Sequence, residues 1–190
     1  EIAADNTRHA KRSAIFEAGH EYIVDEGEQL PREEARLAIV MTGVNSAESW
    51  QSTPRQLDFY DLKGVLDSLF TDLHIDVYYE AATHPTFRPG RTAKLYLAGT
   101  RKMLGTIGEL HQLVAEQYDM RIDSDQPVLA ATLDLAVLIE KAADDFDLAT
   151  ISQYEVIRED IAVVVDMGVE SAAVTNAISK AGGFLLKETM

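Results

Sequence analysis

Cysteine is absent from this chain of 190 residues, which excludes disulfides, thiolate metal sites and a cysteine nucleophile. Positive charge is scarce: 17 Lys+Arg stand against 32 Asp+Glu, for a net charge of −15. The deficit deepens toward the carboxyl end, where Lys141, Arg158, Lys180 and Lys187 are the only cations beyond residue 122. Such a surface repels phosphate, so any nucleic-acid contact needs a local basic spot. Its simpler consequence is solubility through like charge. No apolar run approaches the roughly 18 residues of a membrane span, and no basic-then-apolar leader opens the chain. No membrane role is expected, and the cysteine-free composition fits a cytoplasmic protein. The chain opens at Glu1 and stops at Met190 just after an apolar run, and reads as a piece of something longer.

A hydrophobic content of 46% can still bury a core at this length. Residues 1–12 read as the end of a helix. Ala14–Val24, rich in β-branched and aromatic residues, reads as a strand, and Asp25–Pro31 as a turn. Leu37–Gly43 is a short buried strand, followed by a loop around Trp50 and Pro54. From Asp58 the period changes: Phe59, Leu62, Val65, Leu66, Leu69, Phe70 and Leu73 form one helical stripe, with Asp58 as N-cap and Asp61 in the first turn. Ile75–Tyr79 returns to strand. His84-Pro85 and Pro89-Gly90 mark a loop, Lys94–Leu97 and Met103–Ile107 a hairpin about Gly99-Thr100, and His111–Tyr118 a short helix. A turn at Asp123–Pro127 leads to a strand, Val128–Leu135, and a helix, Ala136–Ala143. The acidic segment Ala143–Asp147 is the expected boundary. Beyond it a strand (Asp160–Asp166), a helix (Glu170–Ala181) and a strand from Phe184 are expected. Hairpins and single helices without βαβ alternation predict an α+β fold with a mainly antiparallel sheet.

Few residues form a chemical constellation. His9, His20, His74, His84 and His111 are scattered, without metal-ligand spacing. Asp123-x-Asp125 opens like a calcium loop but lacks the third oxygen ligand, the central glycine and the terminal glutamate, so it reads as a turn. Lys63-Gly64 has no glycine-rich cradle before it, so there is no P-loop. Asp144, Asp145 and Asp147 read as a solvated acidic linker rather than paired catalytic carboxylates. Arg91, beside Gly90, and Glu109, beside Gly108, are the more interesting pair. They could grip a ligand. The favoured alternative is a structural role: a partly buried Arg–carboxylate bridge that fixes the loop to the sheet, with Glu17 as second candidate partner of Arg91. Removing one member of a buried pair typically costs about 3–5 kcal/mol.

A pattern covers nearly the whole chain, from about Ile15 to Leu186. Phe16–Tyr22 is similar to F-E-I-G-R-V-Y, and Asp58–Gly64 to D-F-F-D-L-K-G. Phe87–Ala93 and Gly105–His111 resemble H-P-G-R-S-A and I-G-x-I-G-E-L-H-P. Ile151–Asp166 is similar to I-S-x-F-P-x-V-R-R-D-I-A-x-V-V-D, and Ala181–Leu186 to A-G-G-x-L-L. In this order and spacing the words resemble the bacterial phenylalanyl-tRNA synthetase β-subunit family. The chain departs from them at His20, Gln112, Thr132, Glu155 and Glu159, where the family writes Arg, Pro, Glu, Pro and Arg. Two lost arginines weaken any RNA contact carried over.

The resemblance implies a non-catalytic, class II synthetase-like antiparallel sheet with packed helices over residues 1–147. Over 148–190 it implies the start of a ferredoxin-like anticodon-binding domain, a truncated β-α-β unit. It further implies a scaffold and subunit-interface role in a complex of two α and two β chains that joins phenylalanine to tRNA with ATP and magnesium. Catalysis would lie in the α subunit, and no catalytic, cofactor-binding or metal-binding residue is expected in this chain. Rival readings are an RNA-binding module centred on the carboxyl-terminal segment and a stand-alone pseudo-synthetase that binds a small ligand.

Overall fold

The computed structural model describes residues 2–7, 9–25, 27, 29–51, 53–120, 126–142 and 154–189. The Asp123-x-Asp125 turn and the acidic segment with Asp144, Asp145 and Asp147 lie outside them. The chain divides into two compact units, Glu1–Phe146 and Asp147–Met190.

The first unit runs α1 (Ile2–Thr7), β1 (Arg12–Ile23), β2 (Arg32–Gly43), α2 (Phe59–Asp72), β3 (Val77–Ala81), β4 (Phe87–Leu97), β5 (Met103–Leu110), α3 (Gln112–Gln117), β6 (Val128–Asp134) and α4 (Leu135–Lys141). The strands form one six-stranded sheet in the order β1-β2-β6-β5-β4-β3, antiparallel at each pairing. This is the expected α+β architecture. Strand β2 begins at Arg32, earlier than the apolar run Leu37–Gly43 suggests, because its charged start pairs with the end of β1 in a long hairpin.

One face of the sheet carries the core. Ile39 and Met41 of β2, Leu129, Ala131 and Leu133 of β6, Ile107 of β5 and Leu95 of β4 are buried there with Leu62, Leu66 and Phe70 of α2 and Val137 and Leu138 of α4. The i, i+4, i+8 spacing of the α2 residues puts them on one stripe. A reciprocal capping box starts that helix: the Asp58 carboxylate accepts from the Tyr60 and Asp61 amides, and Asp61 accepts from the Asp58 amide. Close packing fixes Gly105, where a Cβ would come within 2.2 Å of the Thr132 carbonyl oxygen on β6.

In the second unit the expected helix forms as α5 (Ser171–Gly182), followed by a 3-10 turn (Gly183–Leu185) in place of a strand at Phe184. Asp160–Asp166, expected as a strand, is not one: no described segment pairs with it, and Ile161, Val163, Val164 and Val165 are exposed. A β-branched run supplies propensity, but a strand also needs a neighbour to take its backbone hydrogen bonds. Gly183 lies at φ 56°, which ends α5 and turns the chain away from an extended path. Among the described residues, no helix is long and apolar enough to cross a membrane.

Candidate functional site

Pro89-Gly90 lies inside β4, not in a loop before it. Phe87 pairs with Leu110 and Thr92 with Gly108, so β4 must bulge between Phe87 and Thr92 while β5 continues directly from Gly108 to Leu110. Gly90 sits in the bulge at φ 76°, a conformation that disfavours any side chain. Gly108 serves close approach: a Cβ there would lie 2.8 Å from the Phe87 ring and 2.9 Å from the Arg91 carbonyl oxygen.

The bulge turns two arginines onto one carboxylate. Arg88 Nη1 donates to Glu109 Oε1 at 2.5 Å, and Arg91 Nη1 donates to Glu109 Oε2 at 2.6 Å. Glu109 is only 3% exposed, whereas the Arg88 and Arg91 side chains are 51% and 59% exposed. The carboxylate is therefore the buried member, and the guanidiniums close over it from the solvent side. The partly buried bridge expected at Arg91 has a second cation, Arg88, which sequence reasoning missed. Its signal was the Arg-x-x-Arg spacing across Pro89-Gly90. Glu17, the other candidate partner, lies exposed on β1 with β2, β6 and β5 between it and β4. At roughly 4.8 Å per strand, that separation puts it far out of reach of Arg91.

A small cavity of about 90 Å³ adjoins the bridge, lined by Arg88, Glu109, Gln112, Glu116 and Gln126 among others. A wider depression of about 430 Å³ lies at the end of α2, beside Asp67, His74 and Asp76. Near it the Tyr79 hydroxyl donates to Asp67 Oδ1 at 2.7 Å, while Lys63 Nζ donates to Asp67 Oδ2 at 2.5 Å and lies 4.5 Å from the Tyr79 ring centre. Burial first, and then the Asp67 hydrogen bond, push the Tyr79 phenol well above its ordinary range. At the start of α2, hydrogen bonding from Arg55 (2.7 and 2.8 Å) holds the Asp61 carboxyl below its ordinary value.

The histidines remain apart. His9 follows α1, His20 lies on β1, His74 follows α2 at φ 55°, and His84 precedes β4 with its ring 5.4 Å from that of Phe87. His111 caps α3 through Nδ1. Among the described residues, no group of three or more His, Asp or Glu side chains is placed to hold a metal ion. The arrangement thus offers a charged anchor at Glu109 and a half-buried polar cluster at Tyr79.

Residues 1–135 match the family described as phenylalanyl tRNA synthetase beta chain CLM domain. The chain is also 36% identical over 182 residues to the phenylalanine–tRNA ligase beta subunit of Symbiobacterium thermophilum, covering 95% of this chain and 20% of that one. It is 34% identical over 187 residues to that of Geobacillus kaustophilus, covering 97% and 22%. For Listeria monocytogenes the identity is 31% over 175 residues, covering 91% and 21%. The chain therefore spans about a fifth of the length of these relatives. By a match over most of its length, confined to the sheet-bearing unit, the chain belongs to the phenylalanyl tRNA synthetase beta chain CLM domain family.

Proposed function

We propose that this chain acts as the non-catalytic scaffold and subunit-interface module of a phenylalanine–tRNA ligase β subunit. Residues 1–147 would form the class II synthetase-like core, and 148–190 the start of a ferredoxin-like anticodon-binding domain. The partners in this reading are an α subunit, in a cytoplasmic complex of two α and two β chains, and the tRNA bound by that complex. ATP and magnesium serve the complex.

The observation that carries the scaffold reading is the anchor at Glu109. Adenylate chemistry needs cations free to meet developing phosphate charge. Arg88 and Arg91 both bond to an internal carboxylate at the end of the sheet. Arg91, Glu109, Gly90 and Gly108 are accordingly structural: the glycines permit the bulge and the close approach, and the charges lock it.

Phenylalanine-dependent ATP–pyrophosphate exchange tests this reading. The purified chain alone should stay at background, while the α subunit combined with its full-length β subunit turns over. Exchange above background by this chain, in a preparation free of α subunit, would overturn it.

A further inference from the structure

The β1–β2 hairpin runs on past the point where β6 joins it. Pairing of β2 with β6 reaches Arg36, opposite Asp134, whereas pairing of β2 with β1 continues to Arg32, opposite Ile23. From Gly19 and Arg36 outward the two strands form a ribbon. No described residue between 19 and 36 is buried. A two-stranded ribbon is marginal in water, so this one needs support other than apolar burial.

Charge supplies that support. Arg32, Glu34 and Arg36 alternate onto one face of β2, and both arginines bond to Glu34. Arg32 Nε also donates to Asp25 Oδ2 at 3.1 Å, just past β1, and Arg36 Nε donates to Glu21 Oε2 on β1 at 3.0 Å. At the inner end Arg36 Nη1 lies 3.9 Å from Asp134 Oδ2. Asp134 is tied to the body of the unit: it ends β6, and its Oδ1 accepts from the Val137 amide as the N-cap of α4. The ion pairs therefore run in one line, from Asp134 through Arg36 and Glu34 to Arg32 and Asp25. Arg36 is the link between ribbon and sheet.

We propose that this line of ion pairs is a latch sensitive to ionic strength. The ribbon, Gly19–Ile23 with Arg32–Arg36, opens as a unit of its own while the six-stranded sheet stays closed. Screening separates the two regions, because the Debye length falls from about 10 Å at 0.1 M salt to about 3 Å at 1 M. Arg32, Asp25 and Glu21 are half-exposed, so their pairs weaken as salt rises. From Leu37 inward the same strands are held differently, by Ile39 and Met41 in the core and by β6 alongside β2. Apolar burial does not depend on screening. Opening confined to the ribbon thus lies below global unfolding in free energy.

Amide hydrogen exchange of the whole chain, in about 0.1 M and about 1 M sodium chloride, tests this. Protection of the amides that bond across the ribbon should fall about tenfold in high salt, as several half-exposed ion pairs acting together permit. Protection of Leu129–Leu133 on β6 should not fall. Arg36→Met keeps the apolar stem and removes the charge. Its ribbon should lose protection already in low salt, and with it the response to salt. Glu33→Gln is the control: Glu33 alternates to the other face of β2 and makes no ion pair with a described residue, so its ribbon should behave as the parent's does. Should Arg36→Met fail to fold, Arg32→Met carries the same test on the outer pairs, where an unchanged salt response would overturn the proposal. Ribbon and β6 amides that respond to salt alike would also overturn it. So would an Arg36→Met ribbon as protected as the parent's, or equal loss in Glu33→Gln.

Discussion

Removing the arginines over Glu109 singly and together probes the anchor most informatively. With both gone, Glu109 is a carboxylate only 3% exposed that has lost its two described ion-pair partners. Stranding one member of a buried pair costs about 3–5 kcal/mol. Each single loss should cost less than the expectation for an isolated pair, because the other arginine still neutralises the carboxylate. A hydrogen bond to a charged group contributes roughly 1.5–3 kcal/mol, and the half-exposed guanidiniums reduce that through solvent screening. Arg91→Ala and Arg88→Ala should therefore each cost about 1 kcal/mol, and the double variant about 3–5 kcal/mol, more than their sum. At roughly 2–4 °C per kcal/mol for a chain of this size, the single variants melt a few degrees lower and the double about ten degrees lower. Adding Glu109→Gln to the double variant should restore part of the loss, since a neutral amide is cheaper to bury than an unpaired charge. Urea unfolding of the full double-mutant cycle reads the coupling directly. Additive effects, each under about 0.5 kcal/mol, would refute the buried-anchor reasoning.

Three further outcomes are expected. Asp61→Ala should cost about 1 kcal/mol at neutral pH by opening the α2 capping box. Because the Asp61 carboxyl is held below its ordinary value in the fold, that stability is present above the ordinary carboxylate range and is lost as pH falls through the depressed folded value. The two proteins should therefore converge in acid, and a constant difference would contradict the linkage. Tyr79→Phe should cost about 1 kcal/mol near neutrality. The raised phenol pKa means this contribution is complete below the unfolded phenol value, about 10, and declines as pH rises above it, as unfolding measured at neutral and alkaline pH should show. Gly105→Ala should prevent a stable fold, since its Cβ would collide with the β6 backbone at the Thr132 carbonyl; a cooperative melt near that of the parent would show that β5 and β6 can part.

Much of the sheet-bearing unit was legible because local signals agreed with tertiary need. Helix α2 announces itself through Asp58, Asp61 and the Leu62-Leu66-Phe70 stripe, and the β4–β5 hairpin through Gly99-Thr100, with Gly99 at φ 77°. The β4 bulge was not legible. Pro89-Gly90 carries the same composition whether the chain leaves the sheet or swells within it, and only the ladder on either side decides. That is also why Arg88 escaped notice: its partnership with Glu109 depends on where the bulge aims it. Glu17 was misassigned as a candidate partner because sequence distance says nothing about strand order. Asp160–Asp166 failed as a strand for a related reason. Its β-branched run is a local signal, but pairing is not a local property.

The central claim, that this chain is the scaffold and interface module of a phenylalanine–tRNA ligase β subunit, is tested most directly by its association with an α subunit. Sizing by light scattering of the purified chain mixed with a phenylalanine–tRNA ligase α subunit should reveal a stable complex of defined mass that survives chromatography. Elution of the two components apart at all concentrations, with each chain folded, would contradict the account.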